Sequence, residues 1–225
     1  SDVPTFGFRP RDIRNGLAMP PKMTARNVMQ ILGRPRWAFN TLKYGKPQFQ
    51  SLVPYMPQGL DLRALGKFMD DTFDGRLQER KLASLREKWD GKLVVKGIVS
   101  QADAERCVRL GVDGIIVSNH GGRQLDAGES TIKPLTRLAP EFGDKMVVMM
   151  DSGIRSGPDI ARTIASGAQF TFMGRPFMYG VAALGPGGGN HVMAMMKMQL
   201  QQIMEQLCCK TVGDLPQFLA KSVLD

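Results

Sequence analysis

The sequence has 225 residues, 43% hydrophobic and 23% charged, with a formal net charge of +9. That apolar content suits a buried core in one domain and argues against a disordered chain. No apolar run nears the roughly eighteen residues of a membrane span, and no signal peptide is expected. The three cysteines, Cys107, Cys208 and Cys209, suggest neither a disulfide framework nor a paired metal motif, so no metal site and a reducing, cytoplasmic setting are expected.

Residues 3–70 are rich in Pro, Gly and Met, with little sustained periodicity. Short helices are predicted near Thr24–Leu32 and Trp37–Leu42. From Arg9 to Lys46 there are nine lysines and arginines against the single acid Asp12, a balance of +8 out of +9. Such a stretch is either a solvated basic face or a surface for an anionic membrane. Nucleic acid is disfavoured because no binding motif accompanies the charge. A polar helix, Leu77–Trp89, leads to a turn at Asp90-Gly91. The chain is expected to divide near there, residues 1–90 against 91–225, within one domain overall.

Beyond the turn the pattern becomes regular. Apolar runs begin at residues 93, 114, 146 and 170, giving repeats of 21 to 32 residues, and each run is followed by a helical stretch. Ser100 is a plausible N-cap for a helix over Gln101–Leu110. Further helices are predicted over Thr131–Leu138, Pro158–Ser166 and from about Phe177. A Met-rich helix over His191–Gln206, read as core, and a short one near Leu215–Leu219 close the chain. Runs that are apolar throughout predict parallel strands buried on both faces, as in βαβ units. Four such units make half of a barrel or a small open sheet, and periodicity does not choose between them.

Polar residues and glycines collect where the runs end, the position that places sites in both architectures. Gly153 with Arg155, and Gly174 with Arg175, each precede a helix. Free backbone N–H groups, a helix N-terminus and a guanidinium together suit a phosphate. His120 has no metal partner in its pattern and lies beside two glycines and Arg123; an imidazole there can take a proton and Arg123 can grip a carboxylate. Lys96 can stabilise an anion or form a Schiff base, or it is simply a solvated strand end. The chemistry alone points to a phosphate-bearing ligand and an anionic substrate.

The segment Ser118-Asn119-His120-Gly121-Gly122-Arg123-Gln124-Leu125-Asp126 closely resembles the signature of the FMN-dependent 2-hydroxy-acid dehydrogenases and oxidases. Val95-Lys96-Gly97-Ile98, Asp151-Ser152-Gly153-Ile154-Arg155-Ser156-Gly157 and Gly174-Arg175-Pro176 agree with that family in order and spacing, as does the opening Asp2-Val3-Pro4 with Arg9. The resemblance implies an α/β fold, the (β/α)8 TIM barrel, with this chain supplying the end of strand four to strand eight. It implies FMN as cofactor and oxidation of an L-2-hydroxy acid, lactate first, to the 2-keto acid.

By the same resemblance His120 is the base, taking a proton from the substrate's α-carbon or from its hydroxyl as hydride leaves. Asp2 pairs with the imidazolium. Arg123 and Arg9 hold the carboxylate. Lys96 stabilises the reduced flavin, and Ser118, with His120, Gly121, Arg123 and Ser152, contacts the cofactor. Asp151 binds the ribityl chain, while Gly153, Arg155, Gly174 and Arg175 hold the phosphate. The implied partners are the hydroxy acid and an electron acceptor (quinone, cytochrome or oxygen). They also include a further copy of the chain and an anionic membrane surface on the inner face, reached by the basic insertion. The family's first four strands have no counterpart in this sequence, so a companion segment carrying them is expected, and the rival reading is a non-catalytic half-barrel. Another FMN barrel, the type 2 isopentenyl diphosphate isomerase, shares the phosphate site, but the His120/Arg123 pair suits a carboxylate instead. Ser152 departs from the glycine that the family often has there.

Overall fold

The structure is a computed structural model that describes residues 10–16, 24–45, 50–51, 53–57, 59, 64, 67–68, 71–72 and 75–220. Among the described residues, contacts group those from 10 to 72 into one compact unit and residues 75–220 into another.

Within the first unit, α1 spans Pro10–Arg14, α2 Ala25–Leu32 and α3 Pro35–Tyr44. Thr24 starts α2 by accepting a hydrogen bond from the Asn27 N–H at 3.2 Å, a side-chain N-cap. Pro35 occupies the first turn of α3, where its missing N–H has no helical partner to lose. The two helices pack on each other, yet Asn27 is their single buried residue. Met29, Leu32, Trp37, Phe39 and Leu42 are all exposed.

The second unit begins with α4, Glu79–Lys88, and continues as β1 Val94–Lys96, α5 Gln101–Arg109, β2 Gly114–Val117, α6 Ile132–Phe142, β3 Val147–Met150, α7 Gly157–Ala165, β4 Phe170–Thr171, α8 Arg175–Leu184 and α9 Gly188–Gln206. A 3-10 turn over Val212–Phe218 follows, where a helix was predicted at Leu215–Leu219. The strands form a parallel sheet in the order β1-β2-β3-β4, with strands consecutive in sequence paired side by side and joined through helices. Ser100 caps α5, accepting from the Asp103 N–H at 3.2 Å, as its residue type suggests.

Apolar side chains from the strands and from α5 and α6 fill one core, with Ile115, Val117, Val148 and Leu135 at zero exposure and Phe142 at 1%. A smaller cluster under α7 and α9 joins Ala161, Cys209 and Leu215 to Leu200, Ile203 and Met204. Asp113 ties α4 and β1 to the start of β2. Its carboxylate takes Lys92 Nζ at 2.8 Å, the Leu93 N–H at 2.9 Å and Arg86 Nη1 at 3.1 Å.

Two expectations need correction. Burial on both faces holds for β2 and most of β3 but not for β4, where Phe170 is 56% exposed, nor for α8, which buries no residue. A terminal strand has a neighbour on one side only, so an apolar run there does not guarantee cover. The Met-rich helix is core on one face alone. Val192 and Met196 are buried in α9, whereas Met193 and Met198 are exposed.

Candidate active site at the strand ends

The parallel register decides what can meet. Lys96 is level with Ile116, and Val117 with Met150, so Ser118 and Asp151 leave adjacent strands side by side. Alternate residues of a strand share a face, which puts Lys96 and Ser118 on the same side. Lys96 Nζ accordingly donates to Ser118 Oγ at 2.9 Å and lies 3.5 Å from Asp151 Oδ2. The same ammonium comes within 3.4 Å of His120 Nδ1.

The loop after β2 is built on left-handed backbone. His120, Gly121 and Gly122 have φ of 56°, 67° and 69°. For a histidine this conformation costs roughly 1–2 kcal/mol, and it is held in place from several sides. The His120 N–H donates to Ser118 Oγ at 3.0 Å, and Asn119 Oδ1 accepts from the Gly122 N–H at 3.2 Å. Arg175 donates to the Gly121 carbonyl. A Cβ at position 121 would sit 2.7 Å from that guanidinium, the movable end of a flexible side chain, so it is the left-handed φ that calls for glycine.

The loop after β3 answers the first. Ser152, itself at φ 76°, accepts from the Gly121 N–H at 3.0 Å and donates to Asp151 Oδ1 at 2.7 Å. Thr131 is 2% exposed and donates through Oγ1 to the Asp151 carbonyl at 3.1 Å. It stands at the N-cap position of α6 but makes no side-chain cap there, because its hydroxyl serves this loop instead. Thr131 and Asn119 are the supporting residues that sequence reasoning missed. A polar residue at the start of a predicted helix reads as a cap, and nothing local marks it as a brace between strands.

The glycines assigned to a phosphate lie exposed at their strand ends. A Cβ at Gly153 (φ 80°) or Gly174 would meet nothing within 4 Å. The first turn of α7 is already satisfied. Asp159 Oδ2 accepts from the Arg155 N–H at 3.0 Å and from Ser156 Oγ at 2.8 Å. Partial burial pushes the Asp159 carboxyl up, but Ser156, the Arg155 N–H and the charge of Arg162 together hold it below its ordinary value. The N-terminus of α8 at Gly174 has no side-chain cap, and a Cβ at Gly174 would meet nothing within 4 Å. Together with Lys96, Ser118 and the exposed side chains of Arg123 and Arg155, this is a donor set fit for an anionic, phosphorylated cofactor.

Thus Lys96, Ser118, His120, Gly121, Asp151, Ser152 and Arg175 are joined in one network. Arg123 follows the left-handed loop with its side chain exposed, and Gly153, Arg155 and Gly174 flank the network at the strand ends. Asp2 and Arg9 lie outside the described residues. Among the described residues no cluster of His, Cys, Asp or Glu could hold a metal ion.

The sequence profile of FMN-dependent dehydrogenases matches residues 1–221. This chain belongs to that family. FMN is the family's cofactor, and the donor set at these strand ends suits it. Relatives include (S)-mandelate dehydrogenase of Pseudomonas putida, 35% identical over 97% of this chain and 55% of that protein. L-lactate dehydrogenase of Vibrio parahaemolyticus is 36% identical over 95% of this chain and 56% of its own length. The crystal structure of the monotopic membrane protein (S)-mandelate dehydrogenase superposes with a TM-score of 0.88 at 35% identity, covering 96% of this chain and 57% of that one. The family fold is the FMN-type TIM barrel, and the four βα units here are part of it. The chain spans about half the length of the curated relatives it matches.

Proposed function

We propose that this chain carries the acid–base half of an FMN-dependent L-2-hydroxy-acid dehydrogenase, with L-lactate as the first substrate to test. The observation that carries the reading is the convergence of Lys96, Ser118, His120 and Asp151 at the ends of three parallel strands. Bound FMN supplies the two-electron acceptor that no side chain provides.

The Arg123 guanidinium, with Arg9, binds the substrate carboxylate through paired hydrogen bonds. His120 takes the substrate proton, an effect worth about 10²–10⁴ in rate for a well-placed base, and Asp2 pairs with the imidazolium that results. Lys96 and Ser118 would contact the flavin, and the Lys96 charge would offset negative charge on its reduced form. Asp151 holds the ribityl chain. The backbone at Gly153 and Gly174, with Arg155 and Arg175, would hold the phosphate.

Exposed Phe170 on the terminal strand, Phe172 just beyond it, and Met178 and Tyr179 on α8 support a companion segment that completes the barrel. The basic helices α2 and α3, with Trp37, Phe39 and Leu42 exposed among Arg26, Arg34, Arg36 and Lys43, support peripheral binding to an anionic membrane on its inner face. No described helix is long and apolar enough to cross a membrane. The physiological electron acceptor, a quinone, a cytochrome or oxygen, is to be sought there.

The test is a visible spectrum of the purified protein with FMN, before and after anaerobic L-lactate. Flavin that binds and bleaches in the unaltered protein, and binds but bleaches at least about a hundredfold more slowly in His120→Gln, is the expected result. Equal bleaching in both would remove His120 from the role of base.

A further inference from the structure

Position 152 has a backbone that favours glycine, and the chain carries serine. Its φ of 76° lies in the left-handed region, where an L-residue's Cβ crowds the backbone. What serine adds over glycine is the hydroxyl, and both of its hydrogen-bonding capacities are used. Oγ accepts from the Gly121 N–H at 3.0 Å and donates to Asp151 Oδ1 at 2.7 Å.

The Gly121 N–H belongs to the peptide that begins at the His120 carbonyl, so the first bond acts one peptide from the imidazole. The second bond acts from the other direction. Asp151 turns its remaining oxygen, Oδ2, to Lys96 Nζ at 3.5 Å, and Lys96 reaches His120 Nδ1 at 3.4 Å. The contacts close a ring from His120 through Lys96, Asp151, Ser152 and Gly121 back to His120. Ser152 is the one side chain in that ring that cannot ionise, so it can be altered without removing a titratable group from the site.

We propose that Ser152 is a positioning residue for His120. Its hydroxyl pins the peptide after the imidazole to the end of β3 and, by orienting Asp151, keeps Lys96 at the ring. The inference rests on the reading of His120 as the base. Its own observable, the order of the His120–Gly121 loop, requires neither flavin nor substrate.

Two substitutions separate hydroxyl from strain. Ser152→Ala removes the hydroxyl and keeps the crowded backbone, whereas Ser152→Gly removes both, so it remains informative if the alanine variant folds poorly. The sequence has two histidines, so in isotope-labelled chain the ring resonances divide between His120 and His191, assigned by a His191→Gln variant. Expected in both Ser152 variants is Gly121 amide exchange faster by about tenfold. The His120 ring resonance should move while that of His191 stays. In the FMN-loaded protein kcat should fall about three- to tenfold with KM within about twofold, the split expected of misplacement and not of lost binding. Wild-type Gly121 exchange and kcat in Ser152→Gly would overturn the proposal. A His120→Gln variant run alongside keeps the two ideas apart. Unimpaired turnover there overturns the base reading and with it the catalytic part of this inference. The exchange result still decides whether Ser152 pins the loop.

Discussion

Strands β2 and β4 are alike on paper, short apolar runs that each lead into a glycine, a polar residue and a helix, yet the fold treats them differently. Ile115 and Val117 of β2 have no exposure, and Phe170 of β4 has 56%. β2 has a paired neighbour on either side, α5 and α6 lie over it, and the left-handed loop at its end is braced by five side chains or more. β4 pairs with β3 alone and buries neither of its residues. A run's apolar character therefore reports what a strand faces in a completed sheet, whereas its burial depends on which neighbours are present.

That contrast can be broken from the centre outward. The largest effect is expected from Phe142→Ala, which empties a fully enclosed ring site beneath β2 and β3. Chemical denaturation should show a loss of about 3–5 kcal/mol, and a loss below about 1 kcal/mol would mean the core is not packed as described. An intermediate effect belongs to Asp113, at the rim of the central strands. The hydrogen bond from Lys92, then the Leu93 N–H and Arg86, hold its carboxyl down to about 2. Because the folded value lies below the unfolded one of about 4, its stabilisation is complete above that pH and is lost as pH falls toward 2. The melting temperature should fall with acid across that window in the unaltered chain, and fall less in Asp113→Asn. The smallest effect is expected from Phe170→Ser on the terminal strand. Its cost should stay within about 0.5 kcal/mol, with less aggregation on concentration. A large destabilisation there would mean that β4 is covered by something in solution.

Much of the fold was legible because its signals are local. Ser100 capped its helix, Pro35 opened another, and the four apolar runs became four parallel strands in sequence order. The nine-residue segment beginning at Ser118 announced the family without any geometry. Helix faces were less legible. Methionines at helical spacing in α9 say that one side is apolar, but Met196 is buried and Met193 is not because α7 and α8 pack on a single face.

The candidate site divides in the same way. The sequence by itself determined which chemical groups stand at strand ends, because Lys96 closes one apolar run, Ser118 and Asp151 directly follow two others, and His120 comes two residues after Ser118. Only the tertiary structure decided that they touch. Lys96 and His120 are 24 residues apart and Gly121 and Ser152 are 31 apart, and it is the parallel register that closes those gaps. It also decided that Ser152 is held in left-handed backbone and that Thr131 braces a loop instead of capping its helix. A residue's type is written in its own codon, but its φ and its hydrogen-bond partner are set by whatever strand the fold lays beside it.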